Sequence, residues 1–298
     1  LPSVPSMPVQ HLDSLWFQVS GTLCNLRCHH CFISCSPQND SFGMLSLETV
    51  ELYLLQAEQL GVKEFYFTGG EPFLNRQMVP ILLRTLDFGP ATVLTNGTVL
   101  KDSWLEVLAN KVRTVPYGIE FRVSLDGFDP QSNDAIRGDG VFVRAMKGIA
   151  KLTAARFLPI LTVTRSWPEE DDEVALERFG QALAEAGCGQ ARVKILPTLK
   201  MGAEVERGGG YLAEERVEPW MLEEVGKQHF VCGHSRLVSD RGVHVCPILL
   251  EEPEGLLSLG KSASLQDSLR PFPLRYGACY TCYQFGAICC NTSPVARQ

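Results

Sequence analysis

Apolar and polar positions along the chain switch repeatedly between a period of two and a period of about 3.6. Leu15 to Ser20, Glu64 to Thr68, Ala91 to Thr95, Ile119 to Leu125, Pro159 to Thr164 and Ala191 to Leu196 read as short strands. Between them, Ser46 to Leu60, Gln77 to Leu86, Ser103 to Lys111, Phe142 to Ala155 and Asp172 to Ala186 carry apolar residues three and four apart, as helices with one buried face do. Ser46 is placed to cap the first helix, and Gly61 follows its end. Strands alternating with helices require right-handed crossovers, which predicts an α/β fold with a parallel sheet, the incomplete (βα)6 barrel. Loops at the C-terminal strand ends of such a barrel share one rim. Four groups fall there: a cysteine group after the first strand, Gly69 and Gly70 after the second, Asn96 and Gly97 after the third, and Asp126 and Gly127 after the fourth.

The pattern changes after Leu196. Gly208 to Gly210 interrupts it, a helix-like stretch from Pro219 to Gln228 follows, and cysteine, glycine and proline punctuate the remainder. A boundary near Glu204 to Gly210 divides a barrel domain, residues 1–205, from a small cysteine-rich domain, residues 206–298. The second part has too little regular apolar pattern to fold unaided, and metal would supply the missing stabilisation.

Composition narrows the setting. With 45% apolar and 20% charged residues the chain has the balance of a soluble globular protein. A formal charge of −7 argues against a nucleic-acid backbone as main partner, since such partners need a basic face. No apolar run approaches the roughly 20 residues that span a bilayer, and neither end reads as a signal peptide, so the expectation is a cytoplasmic protein without a membrane partner. Eleven cysteines are many for that compartment. They bunch as Cys24, Cys28, Cys31 and Cys35, then Cys232, Cys246, Cys279, Cys282, Cys289 and Cys290, with Cys188 apart. In a reducing environment such clusters read as metal sites before disulfides.

Cys24-Asn-Leu-Arg-Cys28-His-His-Cys31 places three thiolates on one tight loop. Three ligands on a four-iron cluster leave one iron open, so something else must bind there; a structural zinc site built on close cysteines is the competing reading. Downstream, Gly69-Gly70-Glu71-Pro72 pairs glycines that let backbone approach a ligand with a carboxylate that complements an ammonium, although a glycine pair alone also reads as a turn.

With these spacings the sequence resembles the radical S-adenosylmethionine superfamily over about Trp16 to Leu196. The resemblance implies that Cys24, Cys28 and Cys31 hold a [4Fe–4S] cluster that cleaves S-adenosylmethionine into a 5′-deoxyadenosyl radical. It implies that Gly69, Gly70, Glu71 and Pro72 hold the methionine amino group. Ser124 and Arg137, with Asp126, Gly127 and Gly138 around them, resemble the pair that binds cofactor carboxylate and ribose; a turn with a surface salt bridge is the plainer alternative. Asn96, after Thr95, sits where the family contacts ribose or adenine, in what is also a common turn dipeptide. His30 takes the aromatic position beside adenine. Cys35 is read as a non-ligand, because the family leaves the fourth position to S-adenosylmethionine.

In the C-terminal part, Cys232, Cys246, Cys279 and Cys282 resemble the auxiliary-cluster regions called twitch and SPASM, and four thiolates close one [4Fe–4S] site. A zinc knuckle is the alternative. Cys289 and Cys290 are possible substitutes; the longer seven-ligand pattern is incomplete, which favours one auxiliary cluster while leaving room for a second. Cys188 reads as an ordinary thiol.

The resulting expectation is a radical S-adenosylmethionine oxidoreductase that abstracts hydrogen from a peptide, as a maturase, or from a small organic molecule, with the auxiliary cluster accepting an electron. A flavodoxin- or ferredoxin-type reductant is implied. Alternatives are a dehydrogenase of a sugar or aminoglycoside alcohol, a tetrapyrrole-tailoring enzyme, and a non-catalytic zinc or iron–sulfur protein. The few residues before the first strand lower the expectation of a leader-dependent peptide role. If a base is needed, His229, His234, Asp240, His244 and Tyr276 are candidates by location.

Overall fold

A computed structural model of the chain describes residues 4–222, 227 and 229–286. One sheet organises it, with strands β1 (Ser14–Gln18), β2 (Glu64–Thr68), β3 (Ala91–Thr95), β4 (Ile119–Ser124), β5 (Ile160–Thr164), β6 (Arg192–Leu196), β7 (Ser235–Ser239), β8 (Gly242–His244) and β9 (Leu256–Leu259). Their spatial order is β9-β8-β7-β1-β2-β3-β4-β5-β6. From β7 across to β6 neighbouring strands are parallel, while β8 and β9 fold back antiparallel. The sheet is an open barrel, and all six strands read from the sequence are present.

The helices are α1 (Leu47–Gln59), α2 (Met78–Thr85), α3 (Asp102–Val112), α4 (Pro130–Arg137), α5 (Val141–Ala154), α6 (Asp172–Glu185), α7 (Glu204–Gly208) and α8 (Gly277–Phe285). Ser46 caps α1, its Oγ accepting from Thr49 N at 3.1 Å, and Gly61 takes φ +72° just after it. Helix α4 had not been expected. Asp129 caps it by accepting from Ser132 N at 2.7 Å, Pro130 supplies its first turn, and Gly138 at φ +101° ends it. Arg137 is its last residue, which carries the guanidinium to the rim.

The central barrel strands bury both faces, and the faces differ, while β6 at the sheet edge is only half-buried. Leu15, Phe17, Phe65, Phe67, Val93, Phe121, Val123, Leu161 and Val163 pack under the helices in one apolar core. Each such side chain, fully buried, contributes on the order of 1.5–3 kcal/mol. The alternate positions, Trp16, Gln18, Thr68, Leu94, Arg122, Ser124, Thr162, Thr164 and Leu196, turn to the other side and line a cavity. Trp16 stacks on Tyr66 with ring centroids 4.2 Å apart.

The residues after 206 add β7 to the free side of β1, with Leu15 opposite Arg236 and Trp16 opposite Leu237. A second apolar core holds Trp16, Cys24, Leu26 and Tyr66 together with Phe230, Cys232, Cys246, Leu249, Cys279 and Cys282. Of the helix-like stretch at Pro219, residues Pro219–Leu222 form a short 3₁₀ turn.

Candidate active site

The cavity, about 230 Å³, lies at the C-terminal ends of the parallel strands. Cys24, Cys28, Cys31 and Cys35 all line it, with Gly69, Gly70, Asn96, Ser124, Arg137 and His30. The four rim loops thus meet around one space.

The cysteine loop is seated on the glycine pair. Gly70 N donates to Gly21 O at 3.0 Å and Glu71 N to Leu23 O at 3.1 Å. A Cβ at Gly70 would stand 2.1 Å from Leu23 O, and one at Gly69, which has φ +146°, would stand 2.2 Å from Ser20 Oγ. Both positions therefore require glycine because the loop carrying the cysteines crosses there.

Donors surround the sulfurs. Leu26 N and Asn96 Nδ2 point at Cys24 Sγ at 3.4 and 3.8 Å, Arg137 Nη1 at Cys28 Sγ at 3.9 Å, and Cys35 N at Cys31 Sγ at 3.2 Å. Burial pushes the Cys24 thiol up to about 12 and raises Cys28. Hydrogen bonding with Cys35 lowers Cys31 and raises Cys35 in turn. Buried sulfurs with N–H donors aimed at them suit metal-bound thiolates, whose charge the metal offsets and the donors support.

Glu71 has no exposed surface. Its Oε1 accepts from Thr95 Oγ1 at 2.7 Å and Phe73 N at 3.1 Å, and its Oε2 from Asn96 N at 2.7 Å. Burial outweighs these bonds and raises the carboxyl to about 7. The side chain ties the β2 loop to the β3 loop from behind the cavity wall, and Pro72 opens the buried 3₁₀ turn beside it. Asn96 Nδ2 also donates to Asn25 Oδ1 at 2.9 Å, and Asn25 Nδ2 to Thr98 Oγ1 at 2.9 Å. Asn25, inside the cysteine triplet, is a positioning residue that sequence reasoning passed over.

Asp126 is a second hub. Its Oδ2 lies 2.6 Å from both His30 Nε2 and Arg137 Nε, and its Oδ1 accepts from Thr164 N at 2.8 Å. Burial alone would raise this carboxyl, but Arg137 and His30 outweigh it and hold it well below the usual range. Asp126 therefore stands behind the wall and presents Arg137 and His30 to the cavity. The Ser124 hydroxyl lies 3.5 Å from that of Thr162, on the lumen side.

Cys232, Cys246, Cys279 and Cys282 are brought together as well. They line a small cavity whose other walls are Phe230, Val231, Val245, Ile248, Leu249, Phe272 and Ala278. Burial raises Cys232, Cys246 and Cys279, the last to about 12. Pro247, between Cys246 and Ile248, lines the large cavity, so one short segment forms part of both walls. Among the described residues no three His, Cys, Asp or Glu side chains converge as the ligands of one metal ion. Both cysteine sets border a space.

None of the five candidate bases lines the large cavity. His234 precedes β7 at the opposite end of the strands, its carbonyl accepting from Asp13 N and Ser14 N. His244 is buried with Nε2 2.8 Å from Ser239 Oγ, and His229 Nδ1 donates to Tyr283 O. Tyr276 donates to Glu254 at 3.4 Å, and Asp240 packs by Gly43. Cys188 is buried apart, accepting from Thr153 Oγ1 at 3.3 Å. Cys289 and Cys290 lie outside the described residues.

Residues 19–177 match the Radical SAM superfamily. The chain is 28% identical over 186 residues to a GTP 3',8-cyclase of Rhodopseudomonas palustris, covering 60% of this chain and 52% of the cyclase. It is 26% identical over 304 residues to the mycofactocin maturase MftC of Mycobacterium tuberculosis, covering 87% and 73%. The structure of Streptococcus suis SuiB bound to precursor peptide SuiA is similar in fold, with a TM-score of 0.66 at 16% identity over 89% of this chain and 66% of SuiB. The chain spans only 28%, 52% and 46% of the length of the first three curated relatives it matches.

Proposed function

This chain belongs to the Radical SAM superfamily, and from that premise we propose that it is a maturase-type oxidoreductase acting on a peptide. The observation that carries the reading is the shared wall, in which Pro247 faces the cavity of Cys24, Cys28 and Cys31 while Cys246 and Ile248 face that of the other four cysteines. When bound, S-adenosylmethionine and a [4Fe–4S] cluster supply a 5′-deoxyadenosyl radical for hydrogen abstraction, and an auxiliary cluster supplies a one-electron sink.

In this reading Cys24, Cys28 and Cys31 hold the first cluster, and Cys232, Cys246, Cys279 and Cys282 the second. Gly69 and Gly70 bring backbone against the methionine amine. Arg137, fixed by Asp126, offers a guanidinium fork to a carboxylate, with Ser124, Asn96 and His30 around the nucleoside. The apolar wall of Trp16, Leu94 and Leu199 keeps water away from the reacting carbon. A flavodoxin- or ferredoxin-type protein supplies the reducing electron. Support for a peptide comes from the relatives: MftC is a maturase, and SuiB was solved with a precursor peptide.

Iron analysis and cleavage assays after anaerobic reconstitution test this. About eight irons per chain are expected, the content of two four-iron clusters. Cys28→Ala should abolish 5′-deoxyadenosine formation under dithionite, whereas Cys279→Ala should keep it with about four irons. Stoichiometric zinc without cleavage would end the reading. Deuterium transfer into 5′-deoxyadenosine from a labelled sugar or aminoglycoside pool, and none from a labelled peptide pool, would replace the peptide by a small alcohol.

A further inference from the structure

Arg236, on β7, has none of its surface exposed. Its Nε donates to Ser268 O at 3.0 Å, its Nη1 to Cys232 O at 2.7 Å and Ser235 O at 2.6 Å, and its Nη2 to Arg270 O at 3.4 Å. All four acceptors are neutral carbonyls. They orient the guanidinium without cancelling its charge, and among the described residues no carboxylate forms an ion pair with it. The ionisable groups that bear on it are the thiols of Cys232 and Cys246 and the exposed Arg270 guanidinium, which has the same sign. A buried arginine left uncompensated is strongly unfavourable. The site as drawn by the protein atoms therefore asks for negative charge.

Cys232, whose carbonyl Arg236 holds, lines one small cavity with Cys246, Cys279 and Cys282, and four metal-bound thiolates there would supply that charge. Four thiolates on a [4Fe–4S] core leave a net anion, and one more electron makes it more negative. We propose that Arg236 is the built-in counter-charge of the auxiliary cluster, holding its reduction potential up so that it accepts an electron from the large cavity. This rests on the assignment of Cys232, Cys246, Cys279 and Cys282 as cluster ligands. Arg236 touches neither substrate nor sulfur by a hydrogen bond, so it acts as a positioning and tuning residue through its charge.

The test uses the full chain with Cys24, Cys28 and Cys31 all changed to alanine, so that only the auxiliary cluster contributes to the spectrum. Its midpoint potential is read by electron paramagnetic resonance during a redox titration, in that parent and in added Arg236→Gln and Arg236→Lys variants. Glutamine keeps amide donors for the carbonyls and removes the charge; lysine keeps the charge. The expected result is a lower midpoint for glutamine and a midpoint near the parent's for lysine. An unchanged midpoint in a fully loaded glutamine variant overturns the role of Arg236. Should glutamine fail to hold iron, retention by lysine supports the charge requirement, and equal loss by lysine defeats it. No four-iron signal in the parent is a different failure, that of the ligand assignment itself.

Discussion

Replacing Gly70 with alanine asks whether the second rim loop exists to seat the first. The new Cβ would stand 2.1 Å from Leu23 O, 2.4 Å from Leu23 C and 2.7 Å from Cys24 N. Since Cβ contacts essentially never fall under 3.0 Å, the cysteine loop must retreat by about 0.9 Å, the difference between 3.0 and 2.1 Å. That movement stretches Gly70 N to Gly21 O and Glu71 N to Leu23 O, now 3.0 and 3.1 Å, beyond hydrogen-bonding range. Two such bonds are together worth about 1–3 kcal/mol; if the loop stays in place instead, overpacking costs a similar ~1–3 kcal/mol. A loss of about 1–3 kcal/mol lowers the Tm of a chain this long by roughly 2–5 °C. The assay is thermal and urea unfolding of the metal-free chain by circular dichroism, followed by iron content after reconstitution, which should also fall. Gly61→Ala is the control: it carries a left-handed φ of +72°, which Gly70 does not, and has nothing within 4 Å, so it should lose about 1 kcal/mol from backbone strain alone and load iron fully. Wild-type unfolding and iron uptake in the Gly70 variant would refute the seating argument.

Asp126→Asn should destabilise the chain by about 3–5 kcal/mol, because it strands the buried Arg137 charge. Arg137→Met combined with it should cost little more than either alone, and additive losses in urea unfolding would show that the two are not coupled. The Glu71 carboxyl, raised by burial to about 7, binds its proton more tightly folded than unfolded. Its stabilising contribution is therefore full below about pH 4.5 and declines as pH rises to about 7, by on the order of 3 kcal/mol. Glu71→Gln should lack that slope, and identical pH profiles of unfolding free energy would contradict the assignment.

The barrel was legible because its strands and helices differ in period and are punctuated by local signals such as Ser46 and Gly61. Helix α4 was missed although Asp129, Pro130 and Gly138 mark its ends, because the segment from Ser124 to Gly138 was read as motif residues on a loop. The lumen wall was missed for another reason. Polar residues at Gln18, Thr68, Arg122, Ser124, Thr162 and Thr164 alternate with apolar ones, but only the apolar half was used to find strands. Long-range pairing left no local trace at all. Nothing near Ser235 announces that β7 lies beside β1, and without its direction His234 stood among the candidate bases although it sits at the far end of the strands. The glycine pair was found correctly as close backbone approach, while the partner in that approach, the Leu23 carbonyl, comes from a loop that only the fold brings there.

The seam between β7 and β1 also governs when the molecule is finished. Leu15 faces Arg236 across it, so during synthesis the first barrel strand waits for more than two hundred further residues to emerge from the ribosome. Until then β1 is a bare edge open to other chains, and the wall contributed by Pro247 does not exist. Pairings so distant along the chain close slowly. Iron delivered to the nascent cysteines would meet a half-built basin, so metal loading belongs after β7 and Pro247 have emerged, long after Cys24, Cys28 and Cys31 are made.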